Sequence, residues 1–241
     1  MKTYRAHTPA GLAILALLGC LPGAAALAVA QATGGSPAAG PPQIVPAATL
    51  TAPTTPSAMP DAEGFIRRWL ILEPVTVEGQ TQNIVRDAVK KYAFPGSETA
   101  IPRNGESVSL GGKDLAWHAL DTKYYNINLF HFARSLGKPT SNVLFWAEVV
   151  VNSPVERKDV RLAVGSNAAS VWFVNGEELV GIYGDRQTVI DDGVSKRVTL
   201  KKGQNILRAA VVNGSGATDF CARFLDENDK PLKGYTLTVS K

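Results

Sequence analysis

From residue 65 onward the chain is a series of short β-type runs separated by dipeptides that favour tight turns. The strand-like runs are residues 65–72, 115–120, 143–151, 160–164, 171–174, 194–200, 205–212, 220–225 and 235–239. The turn dipeptides, whose residues accept a positive φ, are Asn104-Gly105, Gly111-Gly112, Asn175-Gly176, Asp192-Gly193 and Lys202-Gly203. Many short strands with such turns are typical of β-sandwiches and barrels and not of βαβ units. The sequence therefore predicts an all-β domain.

Two short segments have helical character. Residues 81–92 place Val85 and Ala88 on one helical face, and Pro95 lies just beyond the run. Residues 129–136 form a second segment that is either helix or loop. We expect one or two short helices beside the strands.

The first sixty residues contain no acidic residue, and no Lys or Arg follows Arg5 among them. Residues 1–32 combine a basic start, an apolar run and an alanine-rich tail, which is the pattern of a secretory signal peptide. Small residues at the −3 and −1 positions favour cleavage after Ala30 or Ala32. The sequence therefore predicts an exported protein, either periplasmic or extracellular.

A competing interpretation of the leader takes residues 17–20, Leu-Leu-Gly-Cys, as a lipobox. Cys20 would then be acylated, and the protein would be a membrane-anchored lipoprotein. A further apolar run follows Cys20, which favours the secreted form. An uncleaved membrane anchor is disfavoured because Pro22-Gly23 interrupts the apolar run before it reaches the length of a span.

Residues 33–60 have the composition of a linker. They hold seven of the fifteen prolines of the chain, together with Thr, Ser, Ala and Gly, and they carry no charge. Proline fixes φ and removes a backbone donor, so such a segment forms an extended, disordered spacer. The predicted organisation is a signal peptide at 1–32, a linker at 33–60 and a folded domain at 61–241.

Several motifs of this domain resemble one family. Residues 159–166, DVRLAVGS, and 171–177, VWFVNGE, form a hairpin motif with an Asn-Gly turn, and residues 198–207, VTLKKGQNIL, form a strand-turn-strand motif. With residues 65–72 and 220–225, they resemble the galactose-binding-like jelly-roll domains. These are non-catalytic sugar-binding modules of glycoside hydrolase family 2 enzymes and of proteins that accompany secreted bacterial polysaccharide esterases. The resemblance implies a jelly-roll β-sandwich.

Two turn positions have a clear physical role in such a sandwich. Asn175 and Gly176 supply the two left-handed residues of a type I′ hairpin turn. The amide of Asn205 is placed to satisfy backbone groups of the turn that precedes it.

The residue types needed for catalysis are scarce. No G-x-S-x-G motif and no zinc-ligand spacing occur, and only His118 and His131 remain after the leader. Both histidines have contexts typical of surface or hydrogen-bonded residues, and Cys221 alternates in a strand like a small buried hydrophobe. We expect a protein that is not an enzyme. The alternative is an esterase or other hydrolase that acts on acetylated glycans.

Aromatic and planar polar residues in loops indicate where a sugar would bind, because a pyranose has one apolar face and a rim of hydroxyls. The four tryptophans lie in strand-like runs and are expected in the core. The two loops at 124–126 and 183–186 combine tyrosines, as stacking platforms, with hydrogen-bonding side chains. The candidate ligand-binding residues are Tyr124, Tyr125, Asn126, Tyr183, Asp185 and Arg186.

Asp191 and Asp192 are the metal candidates. Carboxylates in a loop suit a hard cation, so a structural calcium ion is the one cofactor that these residues could hold; otherwise they are solvated turn acids. The basic residues are scattered pairs, which excludes a nucleic-acid interface.

The sequence thus predicts an exported, non-catalytic module whose partner is a glycan or a carbohydrate-active enzyme. The alternative is a structural or protein-interaction domain of the cell envelope, with a membrane contact only if Cys20 is lipidated.

Overall fold

A computed structural model describes residues 49–239 as two antiparallel sheets with two short helices outside them. The strands are β1 (Leu50–Thr51), β2 (Arg68–Leu72), β3 (Val75–Thr76), β4 (Ser107–Leu110), β5 (Lys113–Thr122), β6 (Ile127–Asn128), β7 (Val143–Ser153), β8 (Arg157–Ser166), β9 (Ala169–Val174), β10 (Glu177–Ile182), β11 (Gly193–Val194), β12 (Val198–Leu200), β13 (Gly203–Asn213), β14 (Asp219–Leu225) and β15 (Thr236–Thr238). The helices are α1 (Gln82–Lys91) and α2 (Leu129–Ser135). The predicted all-β sandwich with short helices is confirmed.

The larger sheet has the strand order β1-β5-β2-β7-β13-β9-β10; β3 and β15 also pair with β7, and β4 pairs with β5. The smaller sheet has the order β11-β8-β14-β6, and β12 pairs with β8. The longest ladder joins β7 to β13, from Gly203 opposite Ser153 to Asn213 opposite Val143. These two strands form the centre of the larger sheet.

An apolar cluster fills the space between the sheets, and three aromatic rings lie at its centre. The rings of Trp69 and Trp172 meet edge to face at 6.2 Å, and each contacts the ring of Phe220, at 5.0 and 5.3 Å respectively. All three side chains are fully buried. Edge-to-face contacts add to the free energy gained by burial, so this group fixes how the two sheets pack.

A second apolar cluster covers the outer face of the larger sheet. Val85 and Ala88 of α1 pack there with Phe94, and the Phe94 ring lies edge to face with Trp117 and Trp146. All four tryptophans are therefore in the core, as predicted. Because both faces of β7 are covered, its sequence is an almost continuous apolar run and does not alternate.

Both helices occur where the sequence predicts helical character. Helix α1 differs from the predicted 81–92 by one residue at each end. Helix α2 begins after Asn128, whose side-chain oxygen accepts a hydrogen bond from the His131 N–H at 2.8 Å. This N-cap satisfies a free donor of the first turn, which explains why the segment is a helix and not a loop.

The two predicted turn roles are also confirmed. Asn175 and Gly176 both have positive φ, 53° and 84°, as a type I′ turn requires. Asn205 Oδ1 accepts a hydrogen bond from the N–H of Lys201 at 2.9 Å, and its Nδ2 donates to the carbonyl of the same residue at 2.9 Å. The buried amide of Asn205 thus closes the corner between β12 and β13.

The folded domain extends upstream of residue 61, because residues 49–60 are part of the sandwich. Leu50 pairs with Thr122 of β5, and the backbone of Ala58 exchanges two hydrogen bonds with Leu237. The predicted linker of 33–60 therefore overlaps the domain. Composition gives no sign of this because the hydrogen bonds use backbone groups, which every residue type has.

A buried arginine holds the same segment in place. Arg68 donates through Nη1 to the carbonyl of Thr55 at 2.7 Å and through Nε and Nη2 to the carboxylate of Asp121 at 2.8 and 2.7 Å. A bidentate pair of this kind has a fixed geometry. The side chain of Arg68 therefore joins the segment before β2 to the end of β5.

The predicted signal peptide at 1–32, the lipidation candidate Cys20 and the linker up to residue 48 lie outside the described residues. Within residues 49–239, neither helix combines the length and the apolar character that a membrane span needs.

Candidate functional site

Two exposed tyrosines lie side by side on the loop between β5 and β6. Tyr124 is 54% exposed and Tyr125 is 39% exposed. The Thr122 hydroxyl accepts from the Tyr124 N–H at 3.3 Å and donates to the carbonyl of Asn126 at 2.8 Å. The Tyr125 ring also packs against the Phe65 ring, with the two ring centroids 5.2 Å apart. This tyrosine loop, residues 123–126, therefore presents two aromatic rings from a fixed backbone.

Asn126, the polar residue next to the tyrosines, belongs to a hydrogen-bond network centred on Asp219, the first residue of β14. Asn126 Nδ2 donates to Asp219 Oδ2 at 3.0 Å, and the Thr188 hydroxyl donates to Asp219 Oδ1. Asn167 Oδ1 accepts from the Asp219 N–H at 2.8 Å. These four residues, the Asp219 network, join three loops at one end of the smaller sheet.

Arg186 is attached to the same network through its backbone. Its N–H donates to the carbonyl of Asn167 at 3.0 Å, while its guanidinium pairs with Asp192. Asp185 is exposed, and its carboxylate makes no hydrogen bond within residues 49–239. The structure thus links Arg186 and Asn126, which are 60 positions apart in the sequence, through Asn167 and Asp219.

Tyr183 lies elsewhere. Its ring packs against the cluster on the outer face of the larger sheet, and the guanidinium of Arg86 lies over it at 5.8 Å. Its hydroxyl is buried and has no partner among the described residues. The structure therefore does not bring Tyr183 to the tyrosine loop, although the sequence groups them as stacking candidates.

The metal candidates are both engaged by arginines. Asp191 accepts hydrogen bonds from Nε of Arg223, at 3.0 Å, and from its Nη2, while Asp192 pairs with Arg186. The hydrogen bonds with Asp191 raise the pKa of Arg223. No group of three or more His, Cys, Asp or Glu residues that could hold a metal ion occurs in the part of the chain that the structure describes. The arrangement does not fit a calcium ion, because each carboxylate already faces a cation.

Phe65 connects the Asp191 pair to the tyrosine loop. The guanidinium carbon of Arg223 lies 4.9 Å from the Phe65 ring centroid, and the Tyr125 ring contacts the same phenyl ring at 5.2 Å. The result is a continuous row from Tyr125 through Phe65 and Arg223 to Asp191. Phe65, Asn167, Thr188 and Asp219 were absent from the sequence candidates. Only Asn167 and Asp219 carry a signal in the sequence, which is their position at the end of β8 and the start of β14.

One histidine takes part in a small ionic group. His118 Nε2 lies 3.3 Å from Glu73 Oε1, and Lys138 Nζ lies 2.8 Å from Glu73 Oε2. Burial opposes the ionisation of Glu73, but hydrogen bonds from Lys138 and His118 outweigh it and lower the pKa of Glu73. His118 is thus a hydrogen-bonded residue that holds a carboxylate in its charged form.

No nucleophile is assembled around either histidine in the described part of the chain. Residues 135–138 have S-x-x-K spacing, but the Ser135 hydroxyl donates to the carbonyl of Phe132 and Lys138 pairs with Glu73. Burial raises the pKa of the Cys221 thiol to about 12. Within residues 49–239, neither His118 nor His131 hydrogen-bonds to a hydroxyl or a thiol through its ring.

Comparison with known proteins gives only distant similarities. No family model matches the chain, and no curated protein matches it. Similar solved structures include a PA14 sugar-binding domain from an RTX adhesin, at 10% identity over 70% of this chain and 96% of that one, with a TM-score of 0.38. The PA14 domain of the antifreeze protein MpAFP is 10% identical over 78% of this chain and 96% of that one, with a TM-score of 0.40.

A third similar structure is the β-glucosidase of Kluyveromyces marxianus in complex with glucose, which is 17% identical over 66% of this chain, with a TM-score of 0.35. This chain spans only 17% of the length of that enzyme. All three TM-scores are below 0.5. The assignment of the fold therefore rests on the sheets of this chain.

Proposed function

We propose that this protein is an exported, non-catalytic module that binds a glycan through its tyrosine loop. The observation that carries the proposal is the pair of exposed rings, Tyr124 and Tyr125, next to the hydrogen bond between Asn126 and Asp219. Aromatic rings and planar polar groups are the two components that recognise a pyranose.

The network gives the site order before a ligand arrives. Asn126 and Arg186 are both held by residues of other loops, and Thr122 fixes the backbone of the tyrosine loop. A ligand that meets ordered side chains loses less affinity to the entropy of ordering them. Arginines pair with both Asp191 and Asp192, so these two carboxylates do not attract a cationic ligand, and we expect a neutral polysaccharide.

A protein-interaction domain is the second candidate function, and one observation favours it. Val189 and Ile190, on the loop that carries Thr188, are also exposed large hydrophobic residues. Together with the two tyrosines they place four exposed apolar side chains on loops joined by the Asp219 network. Apolar surface of this kind is typical of a contact with a protein such as a carbohydrate-active enzyme.

The remaining parts of the proposal concern residues 1–48. The leader and the proline-rich segment support export and a linker, with Cys20 as the site of a lipid anchor in the alternative form. Mass spectrometry of the mature N-terminus distinguishes the two. A chain that starts at Gln31 or Thr33 would differ in mass from one that starts at an acylated Cys20.

The test of glycan binding is a pull-down of the full chain with insoluble polysaccharides and a glycan array. We expect the double variant Tyr124→Ala/Tyr125→Ala to lose capture at least about tenfold, because both rings of the stacking platform are removed. Val155→Ala, at another exposed apolar position, is the matched control and should bind normally. Equal capture by the double variant and the control would refute the proposed site. Capture of none of the glycans by the parent protein would refute the function and favour the protein-interaction alternative.

A further inference from the structure

A cavity of about 200 Å³ lies on the outer face of the larger sheet, beside helix α1. Its wall includes the aromatic side chains of Trp146 and Phe173 and the guanidinium of Arg208, and Lys90, Ser97 and Glu98 line it from α1 and the segment that follows. The smaller sheet packs against the other face of the larger sheet. The cavity is therefore separate from the tyrosine loop, which is joined to the smaller sheet.

The aromatic part of the wall is held in place by the fold. The rings of Trp146 and Phe173 lie 6.5 Å apart and are inclined by 39°. Trp146 Nε1 donates to the carbonyl of Tyr92 at 2.9 Å, so the indole nitrogen is already satisfied. Trp146 is 3% exposed and Phe173 is half-buried, so Phe173 supplies most of the apolar surface that a ligand in the cavity can reach.

The polar part of the wall is a buried charge pair with an unused donor. Arg208 is 3% exposed and Glu148 is 1% exposed, and Arg208 Nε and Nη2 both donate to Glu148 Oε2. Nη2 also donates to the carbonyl of Ala100 at 2.9 Å. Within residues 49–239, Nη1 of Arg208 donates to no acceptor. Nη1 is thus a guanidinium donor that a ligand oxygen in the cavity could use.

The charges around the cavity cancel. Lys90 and Glu98 are both exposed residues at its edge, and Glu148 balances Arg208 inside. The lining therefore offers both donors and acceptors, with no net charge to select an ion. A ligand that presents hydroxyl groups, which donate and accept, matches this lining better than an anion or a cation does.

We propose that this cavity binds a single neutral pyranose unit, with one face of the sugar ring on Phe173, beside Trp146, and its hydroxyls on Arg208 and Glu98. The volume suits one ring and not an oligosaccharide, since cavities for larger ligands measure roughly 300–1,000 Å³. The proposal does not depend on the tyrosine loop, which would hold an extended chain at a different surface.

The experiment titrates the full chain with methyl glycosides of glucose, galactose and xylose, followed by saturation-transfer NMR and tryptophan fluorescence. Glu98→Gln keeps the size of the side chain and removes a charged acceptor, so we expect it to weaken binding about tenfold. Ser97→Trp should abolish binding by filling the cavity. Glu227→Gln, at an exposed position remote in the sequence, is the matched control and should bind like the parent protein.

The outcomes separate this site from the proposed function. Binding of a methyl glycoside that is lost in Ser97→Trp but retained in Tyr124→Ala supports the cavity even if no polysaccharide is captured. Binding of none of the three glycosides at millimolar concentration overturns the proposal, and so does binding that Ser97→Trp and Glu98→Gln leave unchanged. Whether or not the methyl glycosides bind, polysaccharide capture that is lost on substitution of Tyr124 and Tyr125 would still support the tyrosine loop as the glycan-binding site.

Discussion

Arg208 on β13 lies directly opposite Glu148 on β7, and two of its nitrogens donate to the same carboxylate oxygen. Glu148 Oε1 has no donor among the described residues. Burial raises the pKa of Glu148 to about 7, and the positive charge of Arg208 offsets part of that rise. The carboxyl thus lies where desolvation outweighs attraction to its partner.

This relationship predicts that Glu148 makes the stability of the domain fall as pH rises. The pKa of Glu148 is about 7 in the folded state and has its ordinary value of 4.5 when the chain unfolds. Between these values the folded state binds more protons, so the free energy of unfolding decreases with pH through the window. Glu148→Gln cannot titrate and lacks this contribution.

Urea unfolding of both proteins at about pH 5 and about pH 8 measures the effect, and the stability of the parent relative to Glu148→Gln should fall by roughly 2 to 3 kcal/mol between them. Comparison with the variant removes the influence of other titrating groups, such as Glu73. A difference that does not change with pH would contradict the prediction.

The contact between Arg68 and Asp121 predicts a large loss of stability on removal of the carboxylate. Asp121→Ala leaves the buried guanidinium of Arg68 without its counter-ion; because the Asp121 side chain is itself 30% exposed, we expect a cost of about 1.5–3 kcal/mol. The control is Glu178→Ala, which removes the solvent-exposed partner of Arg86 and should cost far less. Urea denaturation measures the loss of stability in both variants. Losses of similar size would show that burial of the Arg68 side chain does not make its ion pair more important.

More of the fold than of the candidate site could be predicted from the sequence. Strand runs and turn dipeptides indicate the sandwich because side-chain periodicity and positive φ are local properties, as the Asn175-Gly176 turn shows. The strand β10 was absent from the predicted runs, since its sequence Glu-Glu-Leu-Val-Gly-Ile is polar at one end and contains a glycine. The pairing of Leu50 with Thr122 depends on backbone groups and leaves no trace in composition.

Within the candidate site, the sequence places Tyr124 and Tyr125 in a loop, and in the structure both side chains are exposed on the loop between β5 and β6. The sequence could not show that Asn126 meets Asp219, a contact between residues 93 positions apart. It also could not show that Tyr183 turns towards the outer face of the larger sheet, because chain direction after a strand is a tertiary property.

The Asp219 network predicts that one substitution loosens two loops together. Asp219→Ala removes the acceptors of Asn126 Nδ2 and the Thr188 hydroxyl, so residues 123–126 and 183–192 should both exchange their amide hydrogens faster. Hydrogen-exchange mass spectrometry measures this, with the exposed Asp114→Ala as the control. If only one of the two loops responded, the network would not couple them.

The buried thiol of Cys221 predicts slow chemical modification in the folded protein. Its pKa is raised to about 12 from 9.0, chiefly by burial, which lowers the thiolate fraction about a thousandfold. A thiol reagent applied to the Cys20→Ser protein should therefore react at a normal rate only after the chain is unfolded in urea. Rapid reaction under native conditions would show that the thiol is accessible.

The entry of the chain into the sandwich also determines how the domain bears mechanical load. A force applied to the chain before Leu50 acts first on the short β1–β5 pairing. It then acts on the hydrogen bond from Arg68 to the carbonyl of Thr55. Strand β1 has only two residue pairs to rupture, whereas release of Thr55 would strip a buried cation of one of its acceptors. We therefore expect tension to detach the first strand, together with the hydrogen bond from the Lys123 N–H to the carbonyl of Thr49, before it releases Thr55 from Arg68.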